Sequence, residues 1–390
     1  MLDAQERASL AVVRSLVRAG CVVTAASPLR WSLGGSARGA RPLHLDTDPL
    51  ADPRGYAEAV SALAASVSAE VLLPISDPSV EAILEHRDLL PAGVALPFAP
   101  LSVYRAASDK LLIHRLALAS GLAIVETAVV QQAGDAVPDD PALYPGVVKP
   151  YRSVVGGDGE RQKLSVRQVA DRESCARVLA ELPAEAYPVL VQRRVVGPGE
   201  GFFTARWDGR TLGRFAHRRL REKPPSGGVS VFRESIDLDS TFQSQCEALL
   251  DALGWDGVAM VECKRDVERG GWRLMEINGR FWGSLQLAID AGVDFPALLV
   301  GAALGVNPSV PPAYSPGVRL RWEWGDVDHL LIRMIRSKNR LSLPKDAPTT
   351  LRAMLDFFAF RPNRDRLEVF RAGDPLPFVV ETLARIGVSR

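Results

Sequence analysis

The chain has 390 residues, of which 47% are hydrophobic and 24% charged, and its formal net charge is +1. This length predicts two or three domains with substantial cores, and the composition is typical of a globular enzyme and excludes a largely disordered chain. The balanced charge gives no electrostatic reason to expect nucleic acid or a membrane surface as a partner.

Cysteine and histidine are too sparse and scattered to predict a disulfide framework or a zinc site. The four cysteines show no metal-ligand spacing, and the five histidines are dispersed. No apolar run reaches the roughly 18 residues of a membrane span. The N-terminus carries Asp3 and Glu6 where a signal peptide would be basic. We therefore expect reduced thiols, no membrane partner and a cytoplasmic location.

The first hundred residues alternate between helix and strand patterns, which predicts a parallel sheet flanked by helices. Only Met1 and Leu2 stand before the first polar run, so the first strand is either minimal or cut short. The alternating segments are a helix at 8–19, a strand at 21–25, a helix at 56–67 and a buried strand at 70–75.

This region lacks the common nucleotide-binding motifs. A dinucleotide-binding fold needs a Gly-x-Gly-x-x-Gly turn between the first strand and helix, where residues 3–7 contain no glycine. The P-loop pattern is absent as well. Residues 86–89 imitate a kinase catalytic loop, but Gly93 stands where that loop needs its Asn.

A second region begins near Lys110, which opens an amphipathic helix. Residues 146–150 then form a β run, and Lys149 stands near its end, where a strand would hold an ammonium towards a cleft. The next loop contains Gly156 and Gly157, whose amides could fold over an anion. Most glycine-rich hairpins are only turns, but the preceding lysine favours a phosphate site here.

Arginines gather near glycine-rich backbone in the next segment. After a predicted strand at 187–193 and a hairpin around residues 208–209, the chain carries Arg218, Arg219 and Arg221, followed by a Pro-Pro-Ser-Gly-Gly loop. Basic side chains in such a setting suit oligophosphate or carboxylate binding. A solvated strand edge is the open alternative.

The most informative pattern places a carboxylate, an amide and a guanidinium at every second position of a predicted strand. Period-two alternation puts Leu274, Glu276, Asn278 and Arg280 on one face. An antiparallel strand at 258–264 adds Glu262. Convergence of these oxygens favours Mg²⁺ or Mn²⁺, with a substrate phosphate completing the shell. An ordinary charged strand face is the alternative.

The last 80 residues carry fewer signals. Residues 319–324 alternate like a strand, and amphipathic helices are predicted at 327–335 and 350–358. The strand could line an acceptor pocket, but packing of the tail is the favoured interpretation. A homodimer formed through this tail stays open.

In this order the motifs resemble the ATP-grasp superfamily, and within it they are most similar to the carbamoyl-phosphate-synthase-like carboxylate-amine ligases. The resemblance covers roughly residues 1–310, and its last motif is the most specific. The matching parts are, in chain order, Lys149, the glycine loop, Gln192, the Arg218-Arg219 pair, Glu262 and Glu276-x-Asn278-x-Arg280.

The resemblance implies an α/β and α+β architecture in three parts. A parallel-sheet domain is expected at 1–105 and an ATP-grasp domain at 106–310, with a small lobe at about 106–190 and a large lobe at about 191–310. The region 311–390 is expected to be a C-terminal helical tail.

Family members transfer the γ-phosphate of ATP to a carboxylate and then let an amine displace phosphate, which gives an amide, ADP and phosphate. The resemblance therefore implies ATP and Mg²⁺ (or Mn²⁺) as cofactors. It implies a small-molecule carboxylate and an amine, amino acids among the candidates, as substrates.

Site residues are carried over by position. Lys149 and Lys110 resemble lysines that contact ATP phosphates, and Arg280, Lys149 and Arg219 are the predicted catalytic cations. The predicted metal ligands are Glu262, Glu276 and Asn278. Further contacts with ATP are predicted for the glycine loop, the hinge that meets adenine and a ribose contact: Gly156, Gly157, Gln192, Arg193, Val195 and Glu200.

Departures and rival hypotheses remain. The hinge residue is Gln192 where the superfamily often has Glu, so its side-chain contacts stay open. A regulator that kept ATP but lost catalysis is the main alternative, and intact Glu276, Asn278 and Arg280 argue against it. A carboxylase ranks lower because no Met-Lys-Met biotin-carrier motif occurs in the chain.

Overall fold

The computed structural model describes residues 1–156, 161–306, 313–336, 341, 343 and 347–387. It has the mixed α/β architecture that the sequence predicts. The N-terminal elements are α1 (Arg7–Arg18), β1 (Val23–Ser27), β2 (Ala40–His44), α2 (Pro53–Ser66), α3 (Asp77–Glu85) and α4 (Leu101–Ser108). Strands β1 and β2 pair in parallel, and the connection between them, residues 28–39, contains no helix.

Residues 1–2 form backbone hydrogen bonds with two neighbouring segments of the chain. The Leu2 amide donates to the Leu73 carbonyl (3.0 Å), and the Ala26 amide donates to the Met1 carbonyl (2.9 Å). Residues 1–2 therefore lie between β1 and the segment 71–75. That segment was predicted to be a strand, but it forms only an isolated parallel bridge at Val71.

The small lobe contains a four-stranded sheet in the order β3-β8-β4-β7. One face of this sheet packs on α6 around Val148, Val189 and Val191, which form a separate hydrophobic core. Strand β8 spans the predicted lobe boundary at 190/191 and belongs to this sheet. The elements are α5 (Lys110–Ala119), β3 (Thr127–Val130), β4 (Gly146–Pro150), β5 (Val154–Val155), β6 (Gln162–Lys163), β7 (Arg167–Val169), α6 (Arg172–Ala180) and β8 (Val189–Arg193).

The large lobe is built on a seven-stranded sheet in the order β13-β12-β9-β10-β11-β14-β15. Strands β14 and β15 come from the predicted tail, so part of that tail extends this sheet. The elements are β9 (Gly199–Trp207), β10 (Arg210–Lys223), β11 (Val229–Ser235), α7 (Ser240–Leu253), β12 (Gly257–Arg265), β13 (Trp272–Asn278), α8 (Leu285–Ala291), α9 (Phe295–Ala303), β14 (Arg319–Arg321), α10 (Glu323–Ile335), α11 (Thr350–Phe358), β15 (Asp365–Leu367) and α12 (Leu376–Arg385).

One expectation about strand β13 is wrong. Leu274 does not share a face with Glu276, because the register shifts by one residue between these positions and leaves Met275 without a partner on β12. Such a bulge reverses the alternation of side chains. Leu274 is fully buried in the same core as Ile277. Arg280 lies two residues beyond the end of the strand.

A single hydrophobic core joins the N-terminal domain to the large lobe. Ion pairs close to this junction tie the two ends of the chain together. Glu368 forms ion pairs with Arg7 (2.9 Å) and with the fully buried Arg233 (2.5 Å), while Asp374 accepts from Arg14 (2.8 Å). Among the described residues no single helix is long and apolar enough to cross a bilayer; α8 and α9 meet that criterion only together, across a 93° bend.

Candidate functional site

The candidate site is built on a row of residues that crosses four adjacent strands. In register across the sheet, Glu276 pairs with Glu262, Glu262 with Gly201, and Gly201 with His217. Directly opposed residues project from the same face of a sheet. The predicted convergence of Glu262 and Glu276 is therefore confirmed by the strand register.

Two carboxylates in directly opposed positions repel each other, so a cation must be close. Arg219 reaches Glu262 at 2.6 Å and Glu222 at 3.1 Å. It does so across β9, where Gly199 has no side chain: a Cβ there would lie 2.7 Å from the Arg219 Cδ. The glycine thus makes room for the guanidinium that holds Glu262.

The next side chains along β13 extend the polar face. The Asn278 amide donates to the Glu276 carboxylate (3.1 Å), and Arg280 donates to the Asn278 carbonyl oxygen (3.4 Å). Arg280 is also held by Asp77 at 2.9 Å, and Asp77 accepts from Tyr104 (3.1 Å). Glu276, Asn278 and Arg280 therefore form one connected polar network.

Asp77 and Tyr104 belong to the N-terminal domain, and the sequence analysis missed both. Asp77 is the first residue of α3 and follows the 71–75 segment. The carboxyl ends of parallel strands are where α/β folds place their sites, and this was the available signal. Arg280 and the Tyr104 hydroxyl outweigh the effect of burial and lower the pKa of Asp77.

Two lysines face the carboxylates from the small lobe and α5. Lys149 is 8% exposed and Lys110 is 5% exposed. Burial lowers the pKa of Lys149 to about 8, with Glu276 acting in the opposite direction and Lys110 adding to the decrease. Burial likewise lowers the pKa of Lys110, although Glu276 and Asp77 oppose it. Lys110 also lines the same cavity as Glu276.

The carboxylates respond to the same charges. Burial, together with the neighbouring Glu276, raises the pKa of Glu262 in spite of Arg219. Burial acts to raise the pKa of Glu276 too, but Lys110 and Lys149 outweigh it, and the pKa is lowered. Glu276 is therefore held ionised by the lysines of the opposite wall.

These residues fit a divalent cation that is shared with a ligand. Among the residues that the structure describes, no group of three or more His, Cys, Asp or Glu side chains could hold a metal by itself. Glu262, Glu276 and Asn278 offer two half-buried carboxylates and one amide oxygen. Hard oxygen ligands in this small number suit Mg²⁺ that also binds substrate phosphates.

The hinge residues divide between the two faces of the small-lobe sheet. Gln192 is 1% exposed and shares a face with Lys149, since Gln192 and Leu190 are on the same side of β8 and Leu190 pairs with Lys149. Its amide donates to the Thr127 hydroxyl (2.9 Å) and lies 3.5 Å from the His114 ring nitrogen. Burial and the two lysines lower the pKa of His114 to about 4.

Arg193 points away from this face. Its guanidinium binds Glu126 (2.7 Å) and Asp266 (2.5 Å), which ties the hinge to the connection between β12 and β13. Val195 is buried, and its carbonyl accepts from Lys264 (3.4 Å). The Arg193 side chain therefore holds the hinge in place through its ion pairs. The predicted adenine contact is left to the hinge backbone.

Glu200 does not join the site. It pairs with Cys263 on β12, so it lies on the face opposite to Glu262. There its carboxylate accepts from the Trp272 indole (2.7 Å), and Trp272 stacks on Phe242 of α7. The predicted ribose contact fails because β9 starts at Gly199, whereas the turn before it was expected to end at Gly201. Alternation along the strand then places Glu200 on the face of the sheet that packs on α7.

The glycine loop connects β5 and β6. Gly156 has a φ of 126°, a conformation that favours glycine, while Gly157 lies outside the described residues. The far side of this hairpin contacts the N-terminal domain, because Arg161 forms an ion pair with Glu85 and its amide donates to the Leu50 carbonyl (2.8 Å). The hairpin is thus held against that domain.

Two cavities meet at the polar network. The smaller one, about 40 Å³, lies between the N-terminal domain, α5 and the β5 end of the hairpin. It is lined by Asp77, Tyr104, Lys110, Ser153, Glu276 and Asn278. The larger one, about 310 Å³, lies over the large-lobe sheet. It extends from Glu276 and Arg280 past Glu262 to His217, Ser230 and Trp282.

Residues 207–325 match a protein-family model described as ATP-grasp in the biosynthetic pathway with Ter operon. This segment contains the carboxylates Glu262 and Glu276 and the arginines Arg219 and Arg280. No curated protein sequence matches the chain significantly.

Solved structures are similar in fold over most of the chain. An L-amino acid ligase from Bacillus licheniformis has a TM-score of 0.60 and 15% identity over 82% of this chain and 77% of its own. An N5-carboxyaminoimidazole synthetase from Staphylococcus aureus has a TM-score of 0.59 and 13% identity, with coverages of 81% and 79%. The biotin carboxylase domain of the Hydrogenobacter thermophilus 2-oxoglutarate carboxylase, solved with MgADP and bicarbonate, has a TM-score of 0.58 and 15% identity, with coverages of 79% and 70%.

Proposed function

Because this chain has the ATP-grasp fold, we propose that it is an ATP-dependent ligase that activates a carboxylate as an acyl phosphate and joins it to an amine. The products are an amide, ADP and phosphate. The observation that carries the proposal is the pair of opposed walls, with Glu262 and Glu276 on one side and Lys149 and Lys110 on the other. A nucleotide polyphosphate with its cation suits this arrangement of charges.

The lysines bind the phosphates. Within the described residues, the Lys149 ammonium has no ion pair or hydrogen bond, and the Lys110 ammonium has only a 3.4 Å contact with the Ser153 hydroxyl. A buried ammonium without a partner is costly, and a phosphate oxygen would offset that cost. Gln192 and the hinge backbone lie on the same side as Lys149, where they can hold the adenine end.

Glu262, Glu276 and Asn278 would hold Mg²⁺ (or Mn²⁺). When bound, the ion supplies positive charge to the phosphoryl oxygens. Arg219 keeps Glu262 in place through their ion pair. We therefore assign Arg219 a positioning role, in place of the direct catalytic role expected from the sequence.

Arg280 stabilises the phosphoryl group during transfer. Asp77 and Asn278 fix its guanidinium from two sides, so no reorganisation is needed when negative charge develops. A carboxylate oxygen of the substrate attacks the γ-phosphorus and ADP leaves. The amine nitrogen then attacks the acyl carbon, phosphate leaves, and the amine proton passes to phosphate or solvent.

Water must be kept from the acyl phosphate. The β5–β6 hairpin covers the smaller cavity, and the Arg161–Glu85 ion pair holds it against the N-terminal domain. A closed cover of this kind excludes water and assembles the phosphate contacts.

Release of ADP tests the proposal. Small acids and amines, amino acids among them, are screened pairwise with ATP and Mg²⁺, and the controls omit the acid, the amine or the metal ion. Hydroxylamine replaces the amine to trap an acyl phosphate as the hydroxamate. ADP that forms only when acid and amine are both present supports the ligase.

Two other outcomes contradict it. ATP binding without ADP release for any pair would support the regulator. ADP release that depends on bicarbonate and on a biotinylated acceptor would support the carboxylase. The regulator is disfavoured because a protein that only binds ATP does not need Arg280 fixed by two partners.

A further inference from the structure

Unpaired polar atoms gather at one end of the larger cavity. His217, Ser230 and Trp282 are only 1%, 8% and 2% exposed, and all three line this cavity. Within the described residues, both His217 ring nitrogens, the Ser230 hydroxyl and the Trp282 indole nitrogen have no hydrogen-bond partner. Buried polar groups are nearly always paired, and each exception costs about 1–3 kcal/mol.

The sheet register places one of these residues, His217, on the same face of the sheet as the carboxylates. His217 stands in the same row as Glu262, separated from it by Gly201, which contributes no side chain. The Phe203 ring lies over Gly201, because a Cβ at that position would meet it at 2.7 Å. Its ring centroid is 4.5 Å from His217 and 4.5 Å from Trp282. The Phe203 ring therefore fills the space over Gly201 and packs against His217 and Trp282.

The same cavity reaches the reacting end of the site, since Glu276, Asn278 and Arg280 also line it. Its volume of about 310 Å³ is near the lower end of the ~300–1,000 Å³ range of small-molecule sites. One small molecule can thus extend from Arg280 to Trp282.

The unpaired groups define what the far end of that molecule must offer. The Trp282 indole can only donate a hydrogen bond, and the Ser230 hydroxyl can donate one as well. Burial, with Arg219 and Arg233 nearby, lowers the pKa of His217 well below its usual value, so the imidazole is neutral and donates from one nitrogen. The same arginines disfavour an ammonium ion here. An oxygen acceptor is the matching group.

We propose that the larger cavity binds the carboxylate substrate lengthwise, and that this substrate is a small acid with a second oxygen function at its far end. The reacting carboxylate lies beside Arg280. A hydroxyl or carboxylate oxygen at the other end accepts hydrogen bonds from Trp282, Ser230 and His217. This inference rests on the proposed function, because it specifies the class of acid that the ligase activates.

Binding of matched acids tests the inference without turnover. Isothermal titration with the full chain, ADP and Mg²⁺ compares succinate and γ-hydroxybutyrate with butyrate, and glutarate and δ-hydroxyvalerate with valerate. We expect at least one oxygenated acid to bind about tenfold or more tightly than the alkyl acid of the same length, since one hydrogen bond contributes about 1.4 kcal/mol.

Two variants assign the preference to these groups. Ser230→Ala and Trp282→Phe each remove one donor and keep the apolar packing, so each should bring the affinity ratio towards one. Ser235→Ala is the matched control, because its hydroxyl lies on the same strand but already donates to the Ser315 carbonyl (2.8 Å). It should lower the melting temperature and leave the ratio unchanged.

Each outcome has one meaning. Equal binding of matched acids, no binding of any acid, or a ratio that survives both Ser230→Ala and Trp282→Phe overturns the inference. ADP release that needs no acid overturns the proposed function instead, whatever the affinity ratio. The two failures are therefore distinguishable.

Discussion

The two walls of the cleft differ in how their charges are balanced. On the large-lobe wall Glu262 binds Arg219, Arg280 binds Asp77, and Glu276 accepts a hydrogen bond from Asn278. On the opposite wall Lys149 and Lys110 have no carboxylate within ion-pair distance among the described residues. The large-lobe wall is thus assembled before any ligand arrives, whereas the lysine wall gains its partners from the ligand.

This difference follows from local structure. Cross-strand register fixes Glu262 against Glu276 at a single Cα pairing, so the sheet itself builds the carboxylate wall. The lysines come from a strand of another sheet and from the first residue of α5. Only tertiary packing brings them to Glu276, and an anionic ligand would strengthen that packing.

The largest effect is expected on the carboxylate wall. Glu276→Ala should lower kcat by about 10²–10³-fold, as loss of one group that positions transition-state charge does elsewhere. Because Lys110 and Lys149 lower the pKa of Glu276, its charge stabilises the fold at neutral pH, so the melting temperature of the ligand-free protein should fall modestly. ADP with Mg²⁺ should stabilise the parent protein more than the variant.

Glu234→Ala is the matched control for this change. Glu234 lies on β11 of the same sheet and binds Arg218 and Arg364 (3.1 Å each), away from the carboxylate row. It should keep kcat within about twofold, as surface changes usually do. Unchanged turnover in Glu276→Ala would remove the metal assignment.

The lysine wall should respond to pH. The ammonium form of Lys149 is the one that binds phosphate, and burial lowers its pKa to about 8. The cation is lost as pH rises through that value, so kcat/KM for ATP should fall roughly tenfold between pH ~7 and ~9. The measurement is a pH profile at low ATP concentration.

A substitution that keeps the charge sharpens this test. In Lys149→Arg the guanidinium stays protonated, so the decline above pH ~8 should disappear even if the overall rate is lower. Lys223→Arg, at a residue paired with Asp328 in the tail, should keep the parent profile. A decline that persists in Lys149→Arg would assign the titration to another group.

The smallest effect is expected where the N-terminal domain joins the carboxylate wall. Asp77→Asn keeps an oxygen acceptor for Arg280 but removes its charge, and both side chains are 22% exposed. Loss of the charged component, about 1 kcal/mol, should lower kcat by about fivefold. Steady-state kinetics measure kcat of the Asp77→Asn variant, with Glu58→Gln on α2 as the control. An unchanged kcat in Asp77→Asn would show that Asp77 does not position Arg280.

The sequence predicted the site best where the signal was local. Residues 146–150 and 350–358 were predicted to form β4 and α11, and both elements have these bounds. The convergence of Glu262 with Glu276 followed from alternation in two strands joined by a short connection. These predictions succeed because strand and helix periods are properties of adjacent residues.

The failures have tertiary causes. The bulge at Met275 places Leu274 in the core, and no residue in that segment predicts a bulge. Glu200 was placed by analogy, whereas its face depends on where β9 begins. Asp77 comes from a domain to which the motifs assigned no nucleotide site. Periodicity within one strand cannot show which distant domain supplies the partner of Arg280.

The ion pairs between the two ends of the chain bear on how this protein can be shortened. Removing the residues after 360 would delete the edge strand β15 and leave Arg7, Arg14 and the fully buried Arg233 without their carboxylates. Arg7 also lines the larger cavity. The C-terminal segment therefore stabilises the first helix, and its removal would change the shape of the larger cavity.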